Sequence, residues 1–153
     1  MDYSSRPVVI CDIDDTVSVV GKRRALLSAP VVDWDLFYED DFDDKPIPSA
    51  CRAVIALLDN GVRVVFATSR SERCREKTLS WLRRHISPEI TDEMVMMRAD
   101  GDRSSEADQK VGDVLSRFRA KDIILAIDDN RSILDAWREA GVQTIDSRLL
   151  AQA

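Results

Sequence analysis

The sequence has few of the residues that define several common protein classes. Its three cysteines (Cys11, Cys51 and Cys74) are odd in number and lack metal-ligand spacing, so we expect reduced thiols rather than a disulfide framework or a zinc site. There is one histidine, His85, and no Ser-His-Asp order at the predicted strand ends, which argues against a histidine-based hydrolase. Apolar runs such as Ile123 to Ile127 are far shorter than the roughly 20 residues of a membrane span, so we expect no membrane association.

Positive charge is also scarce, since the net charge is -6. Proteins that bind nucleic acid nonspecifically usually carry a basic excess, so any contact with nucleic acid should be local. Acidic residues crowd positions 33–44, which we interpret as a solvated loop. The first residues lack the basic-then-apolar pattern of a secretory signal, so we expect a cytoplasmic protein.

Five short apolar segments rich in β-branched residues predict the strands of the fold. They are Pro7 to Cys11, Val62 to Ala67, Met94 to Met97, Ile123 to Ile127 and Val142 to Ile145. Continuous rather than alternating hydrophobicity is typical of strands buried on both faces, as in a parallel sheet. Because helical patterns lie between these segments, we predict a three-layer, Rossmann-like α/β fold with a central parallel sheet of five strands.

The predicted helices are marked by apolar spacing and by helix breakers. Ser49 is the expected cap of the first helix, which ends at Asn60-Gly61. The second helix ends before Ser87-Pro88. The third carries the apolar positions of Val111 to Phe118, and the fourth carries those of Ile133 to Trp137.

The chain has no linker, internal repeat or low-complexity tract, and we expect one domain over residues 1–153. Residues 18–48 form one long irregular stretch, which we interpret as a mobile loop after the first strand. Three aromatic residues of this stretch, Trp34, Phe37 and Tyr38, either anchor it to the core or stack on a base. We favour the anchoring role.

Charged and hydroxyl residues follow the predicted strands where each one ends. Asp12 and Asp14 come after the first strand, Thr68 after the second, and Asp128 with Asp129 after the fourth. In a doubly wound sheet, ligands bind outside the carboxyl ends of the strands. We therefore expect these side chains to meet in one site.

The chemistry of this set suits phosphoryl transfer. Grouped carboxylates repel one another unless a cation neutralises them, and oxygen-only ligands suit Mg²⁺, which works with substrate phosphate. A carboxylate such as Asp12 is a competent nucleophile that forms an aspartyl-phosphate. Thr68 and Lys110, which lies in the helix before the fourth strand, would balance the charge of the transferred group. We expect Mg²⁺ as the cofactor and no organic cofactor.

These motifs resemble those of the haloacid dehalogenase (HAD) superfamily. Val8 to Thr16 is similar to motif I, a hydrophobic strand followed by Asp-x-Asp-x-Thr, and Val64 to Thr68 is similar to motif II. Lys110 fits motif III, and Ile124 to Asp129 resembles motif IV with its acidic pair. One departure is Asp15, where many members have glycine.

The resemblance implies a role for each site residue. Asp12 would be the nucleophile, and Asp14 would be the general acid and then the general base, with its backbone carbonyl on the metal. Thr68 and Lys110 would hold the phosphoryl oxygens. The implied metal ligands are Asp12, Asp14, Asp128 and Asp129.

Neither interval that carries a cap domain in HAD enzymes has room here for a sizeable one, which leaves a site open to a phosphate at the end of a large substrate. The motifs also show a closer resemblance, to the 3′-phosphatase module of phage polynucleotide kinase-phosphatase. The similar stretches are Asp33 to Pro48, Thr68 to Glu72, Gly101-Asp102 leading to Lys110, Ala126 to Asp129, Ala136 to Arg138 and Gly141-Val142. This resemblance implies removal of 3′-terminal phosphate from DNA or RNA ends in nucleic-acid repair. Since the sequence has no Gly-x-x-x-x-Gly-Lys-Ser/Thr motif, we expect a phosphatase without a kinase half.

Arginines near the predicted site loops either meet nucleic-acid phosphates or remain solvated surface. The predicted substrate-binding residues are Thr68, Ser69, Arg70, Arg103 and Lys110. Two alternatives stay open at this point: a broad phosphatase that acts on nucleotides or other small phosphoesters, and a phosphate-binding module without turnover. The choice between DNA and RNA and the oligomeric state are open too.

Overall fold

The computed structural model of the chain describes residues 6–39 and 44–150. Among these residues, no helix combines the length and the apolarity that crossing a membrane would require. Part of the predicted acidic loop, Asp40, Asp41 and Asp43, lies outside the described residues, as does the side chain of Tyr38. The single domain over residues 1–153 stays a prediction.

A five-stranded parallel sheet forms the centre of the fold. The strands are β1 (Val8–Cys11), β2 (Ser18–Val19), β3 (Lys45–Pro46), β4 (Arg63–Ser71), β5 (Val95–Arg98), β6 (Ile123–Asp128) and β7 (Thr144–Asp146). The central sheet has the order β5-β4-β1-β6-β7, and each neighbouring pair is parallel. β1 is buried along its whole length, as expected for a strand covered on both faces. The predicted α/β architecture is confirmed.

Helices cover both faces of this sheet. They are α1 (Trp34–Glu39), α2 (Pro48–Asp59), α3 (Arg75–His85), α4 (Glu106–Arg117), α5 (Arg131–Glu139) and α6 (Ser147–Leu150). Val9 packs in a core with residues of α2 and α3, whereas its neighbour Val8 packs in a second core with residues of α4 and α5. Because successive strand residues face opposite sides, one apolar run supplies both cores.

Two element boundaries differ from the sequence predictions. Helix α2 begins at Pro48, with Ile47 at the cap position and no capping side chain, so the prediction of Ser49 as the cap is wrong. Proline is common at the first helical position, because its missing N–H is one of the donors that would have no partner inside the helix. Strand β4 extends to Ser71, beyond the predicted end at Ala67, because the polar residues that follow Ala67 keep the extended backbone and stay buried.

The segment after β1 is more regular than predicted. Residues 18–48 contain the antiparallel pair β2–β3, a 3-10 helix at Lys22–Ser28 and helix α1. Phe37 anchors this segment, with only 5% of its surface exposed, whereas half of Trp34 is exposed. No insert in the described ranges is large enough to form a sizeable cap, in agreement with the prediction.

The strand order indicates at which edge of the sheet a ligand would bind. From β1 the chain moves to β4 and β5 on one side, then returns to β6 and β7 on the other. The switch in direction lies beside β1, where ligands bind in open α/β sheets. The backbone N–H of Asp12 donates to the Ile127 carbonyl at 2.9 Å, so the residue that follows β1 lies next to the end of β6.

Candidate active site

Three carboxylates from two adjacent strands meet at this edge. Asp12 follows β1, while Asp128 and Asp129 come from the end of β6, and one oxygen from each lies within 4.8 Å of the others. Asp12 and Asp128 are buried, at 4% and 3% exposure. The parallel pairing of β1 with β6 thus brings together residues that are more than a hundred positions apart in the sequence.

Lys110, from α4, neutralises part of this negative charge. Its Nζ donates to Asp12 Oδ1 at 2.6 Å and to Asp128 Oδ2 at 3.1 Å. Burial alone would lower the pKa of Lys110, but the charges of Asp12 and Asp128 outweigh burial and raise that pKa above its usual range. The amine is therefore charged at neutral pH, one cation against three carboxyl groups.

The negative charge that Lys110 leaves unbalanced affects the pKa values of the three carboxyl groups. Burial, and next the charge of Asp128, raises the pKa of Asp12 to about 7 despite Lys110. Burial and the neighbouring Asp12 likewise raise the pKa of Asp129 to about 7, and burial raises the pKa of Asp128. A divalent cation would stabilise the ionised forms of all three. A compact group of oxygen donors with excess negative charge fits Mg²⁺.

Thr16 fixes the orientation of Asp12. Its Oγ1 donates to Asp12 Oδ2 at 2.9 Å, and it lies 3.4 Å from Asp129 Oδ1 and 3.3 Å from Ser147 Oγ. Since Lys110 binds Oδ1, each oxygen of Asp12 has its own partner. This explains in physical terms why an Asp-x-Asp-x-Thr pattern carries its threonine.

The Asp14 carboxylate binds two arginines. Arg70 contacts it with two nitrogens, Nε at 3.0 Å from Oδ2 and Nη2 at 2.8 Å from Oδ1. Arg23 Nη2 donates to the same Oδ1. Burial would raise the pKa of Asp14, but Arg70 and Arg23 hold it well below its usual range. The predicted contact of its backbone carbonyl with the metal stays a prediction.

Asp44, near the end of the segment 18–48, is the fourth member of the network formed by Asp14, Arg70 and Arg23. Its Oδ2 lies 2.6 Å from Arg23 Nη2 and 3.7 Å from Arg70 Nη2. The two arginine side chains are fully buried, and that of Asp44 is 2% exposed. The prediction of a solvated acidic loop is therefore wrong for Asp44, because this carboxylate is the counterion of two buried guanidinium groups. The network therefore contains two guanidinium groups and two carboxylates, and their charges balance.

Thr68 and Ser69 lie in the last part of β4. Thr68 Oγ1 accepts a hydrogen bond from the Arg70 backbone N–H at 3.1 Å, and Ser69 Oγ donates to Gln109 Oε1 at 3.0 Å. Gln109 precedes Lys110 in α4, so this contact ties the lysine-bearing helix to the strand. Arg70, predicted to bind substrate, instead directs its guanidinium toward Asp14 and Thr78.

A cavity of about 190 Å³ opens over this edge of the sheet. Its lining includes the complete predicted catalytic and metal set: Asp12, Asp14, Thr68, Lys110, Asp128 and Asp129. Arg103 is not among its lining residues. It lines a neighbouring cavity of about 750 Å³ together with Arg73 and Arg98.

Asp15 adopts a left-handed backbone, with φ of 59°. This conformation favours glycine, and aspartate is among the residues that tolerate it. Its Oδ1 accepts from the Val20 backbone N–H at 3.2 Å and from Arg24 Nη2 at 2.6 Å. The departure at Asp15 thus has local support and leaves the predicted catalytic carboxylates in place.

Arg23 and Asp44 are site residues that the sequence reasoning missed. They lie in a segment without helical or strand periodicity, so no pattern marks them as buried. The available signal is indirect: a carboxylate such as Asp14, placed next to a cluster of other carboxylates, requires a counterion of its own.

Comparisons with known proteins agree with this geometry. Residues 6–148 match the family described as the polynucleotide kinase PNKP phosphatase domain. A chain in the structure of the Pnkp1/Rnl/Hen1 complex is 20% identical with a TM-score of 0.69, over 96% of this chain and 47% of that one. The tungstate-bound class C acid phosphatase from Bacillus anthracis is 18% identical with a TM-score of 0.63, over 86% and 54%.

A HAD-superfamily hydrolase from Ehrlichia chaffeensis is 13% identical with a TM-score of 0.57, and the alignment covers 97% of this chain and 98% of that one. Identities this low establish a shared fold. The chain spans about half the length of the Pnkp1/Rnl/Hen1 and acid phosphatase chains. No curated protein sequence matches it. Since the family match covers residues 6–148, the chain belongs to the PNKP phosphatase domain family of HAD phosphatases.

Proposed function

We propose that this phosphatase domain removes the 3′-terminal phosphate from DNA or RNA with Mg²⁺, through an aspartyl-phosphate on Asp12. The observation that carries the chemistry is the setting of Asp12: it is buried at the end of β1, its two oxygens are held by Lys110 and Thr16, and it lies within 4.8 Å of two further carboxylates. Membership of the PNKP phosphatase family supports the 3′-end substrate.

In the first step, a carboxylate oxygen of Asp12 attacks the phosphorus, and the bond between phosphorus and the 3′ oxygen breaks. Asp14 gives its proton to the leaving oxygen, which departs as an alcohol. Arg70 and Arg23 favour ionised Asp14, but the negative charge of an arriving phosphate group opposes them and favours the protonated form. Lys110 balances charge on the transferred group.

In the second step, Asp14 accepts a proton from water, and the water oxygen attacks the phosphorus. The bond between phosphorus and the Asp12 oxygen breaks. The Asp12 carboxylate and the protonated Asp14 of the substrate complex are restored, and inorganic phosphate then leaves. In this cycle Arg70 and Arg23 orient Asp14, which is both the acid and the base. Thr68 and Ser69 lie next to the position of the phosphoryl group.

Asp12, Asp128 and Asp129 would hold the Mg²⁺ ion, with the Asp14 backbone carbonyl as a further ligand. When bound, the ion supplies positive charge that stabilises both the clustered carboxylates and the phosphoryl oxygens. The cytoplasm remains the expected location.

Replacing Asp128 with asparagine should raise the dissociation constant for Mg²⁺ at least about tenfold, because one charged oxygen ligand is lost. Isothermal titration calorimetry on the metal-free protein measures this change. Asp146→Asn is the matched control, since Asp146 ends the adjacent strand β7 but pairs with Arg148 at 2.6 Å. Equal Mg²⁺ affinity in both variants would remove Asp128 from the metal site.

The substrate is tested with a panel. Wild-type protein and Mg²⁺ are given a 3′-phosphorylated oligonucleotide, the same oligonucleotide with a 5′-phosphate, and sugar phosphates, and released phosphate is measured. We expect kcat/KM on the 3′-phosphate to exceed the other values at least about tenfold, because contacts with the nucleic-acid part of that substrate would stabilise its transition state. Preference for the sugar phosphates would contradict the polynucleotide substrate and leave the phosphatase chemistry standing.

One observation favours the second candidate, a broad phosphatase of small phosphoesters. The larger cavity beside the catalytic cavity is lined by five acidic residues and three arginines. An acidic wall of this kind repels a long run of phosphates. The same panel separates the two functions.

A further inference from the structure

The larger cavity is the feature from which a more specific inference follows. We propose that this 750 Å³ cavity binds the nucleoside that carries the scissile phosphate, with Trp34 as the stacking surface for its base and Arg103 as the contact for one internucleotide phosphate. This inference rests on the proposed function, because it names the part of a polynucleotide that the enzyme recognises.

The two cavities adjoin each other. Trp34, Ser69 and Glu106 line both of them. A phosphate placed at Asp12 and Lys110 would therefore carry its ester group past these shared residues into the larger cavity. The catalytic cavity, at about 190 Å³, has little space beyond a phosphate group, whereas the larger one has ample space for a sugar and a base.

Trp34 lies where the two cavities adjoin and packs against a neighbouring aromatic ring. Its ring meets Phe37 edge-to-face, with centroids 5.6 Å apart and planes at 83°. Phe37 is buried, and the Arg23 guanidinium lies 4.5 Å from its ring centroid. An aromatic side chain that is half exposed and packs against a buried ring is suited to stacking on a base of any identity.

The charges around the cavity limit how much of the nucleic acid is bound. Arg73 pairs with Asp100 at 3.0 Å and with Asp35 at 3.4 Å. Arg98 donates to the Ser104 carbonyl at 2.8 Å.

Arg103 is exposed and, among the residues that the structure describes, forms no ion pair and no side-chain hydrogen bond. It is thus positioned to meet a single phosphate. The excess of carboxylates around Arg103 disfavours the binding of further phosphates.

Three substrates of increasing size test this inference. Glycerol 2-phosphate has a secondary ester and no base, thymidine 3′-monophosphate adds the nucleoside, and a 3′-phosphorylated dinucleotide adds one internal phosphate together with a second nucleoside. We expect Trp34→Ala to lower kcat/KM for the mononucleotide relative to glycerol 2-phosphate by roughly tenfold, with Trp34→Phe recovering most of this loss.

Arg103→Ala is expected to lower kcat/KM for the dinucleotide relative to the mononucleotide by roughly fivefold at low salt, and by less as salt screens the contact. Leu36→Ala is the control, because Leu36 is on the same helix as Trp34, is 46% exposed and lines neither cavity. Neither ratio should change in that variant.

The outcomes separate the two proposals. A wild-type enzyme that treats glycerol 2-phosphate and the mononucleotide alike would overturn the nucleic-acid substrate together with the nucleoside site. A wild-type preference for the mononucleotide that Trp34→Ala retains would overturn the nucleoside site alone. Equal losses on all three substrates in Trp34→Ala would mean that the ring supports the catalytic cavity, and would also overturn the inference.

Discussion

Replacing Asp12 with asparagine is expected to lower phosphate release at least about a thousandfold, since a neutral amide cannot act as the nucleophile. The fold should persist, because asparagine has the same shape. Its amide oxygen can accept from Lys110, and its NH₂ can donate to Thr16 in the positions now held by the two carboxylate oxygens. Steady-state release of inorganic phosphate, with the melting temperature as a check of folding, measures both expectations.

A trapped intermediate sharpens this test. Quenching the wild-type enzyme in acid during turnover should preserve a phosphoryl group on Asp12, found by peptide mass spectrometry and missing in Asp12→Asn. Asp135→Asn is the control for one lost carboxylate, since Asp135 is exposed and pairs with Arg138 on the surface at 2.9 Å. Full activity in Asp12→Asn would make the nucleophile assignment wrong. Phosphate binding by the wild type without any release would instead indicate a binding module.

Much of the site follows from sequence because a parallel sheet gathers its strand ends at one edge. Asp12 after β1 and Asp128 at the end of β6 were expected to meet for this reason, and the structure places both on the lining of one cavity. Lys110 could be predicted as a site residue because the apolar spacing around it predicts the helix on which it lies. Each of these residues lies in or next to an element that the apolar pattern of the sequence predicts.

Arg23 and Asp44 could not be found in this way. Both lie in a segment where hydrophobic residues show no helical or strand period, and burial of a charged residue depends on partners that only the folded chain supplies. The prediction that β4 ends at Ala67 is wrong for a related reason. Thr68 and Arg70 are polar, which predicts the end of a strand, yet both are buried because they face the site.

The pairing of Arg23 with Asp14 and Asp44 leads to the second large expected effect. Arg23→Met should lower the free energy of unfolding by about 3 kcal/mol, because two carboxylates then share the single guanidinium of Arg70. It should also lower kcat/KM by roughly a hundredfold or more, since Asp14 loses one of the groups that orient it. Urea unfolding and phosphate release measure these two losses.

Arg24→Met is the matched control, because Arg24 is the next residue, is about half exposed and pairs with Asp15 on the surface, where a pair contributes less than about 1 kcal/mol. The double variant Arg23→Met with Asp44→Asn separates folding from catalysis. It removes one positive and one negative charge and leaves Asp14 paired with Arg70, so stability should recover toward that of the wild type. Activity should stay low, because Asp14 still lacks its second arginine. Activity that returned together with stability would mean that Arg23 acts through the fold alone.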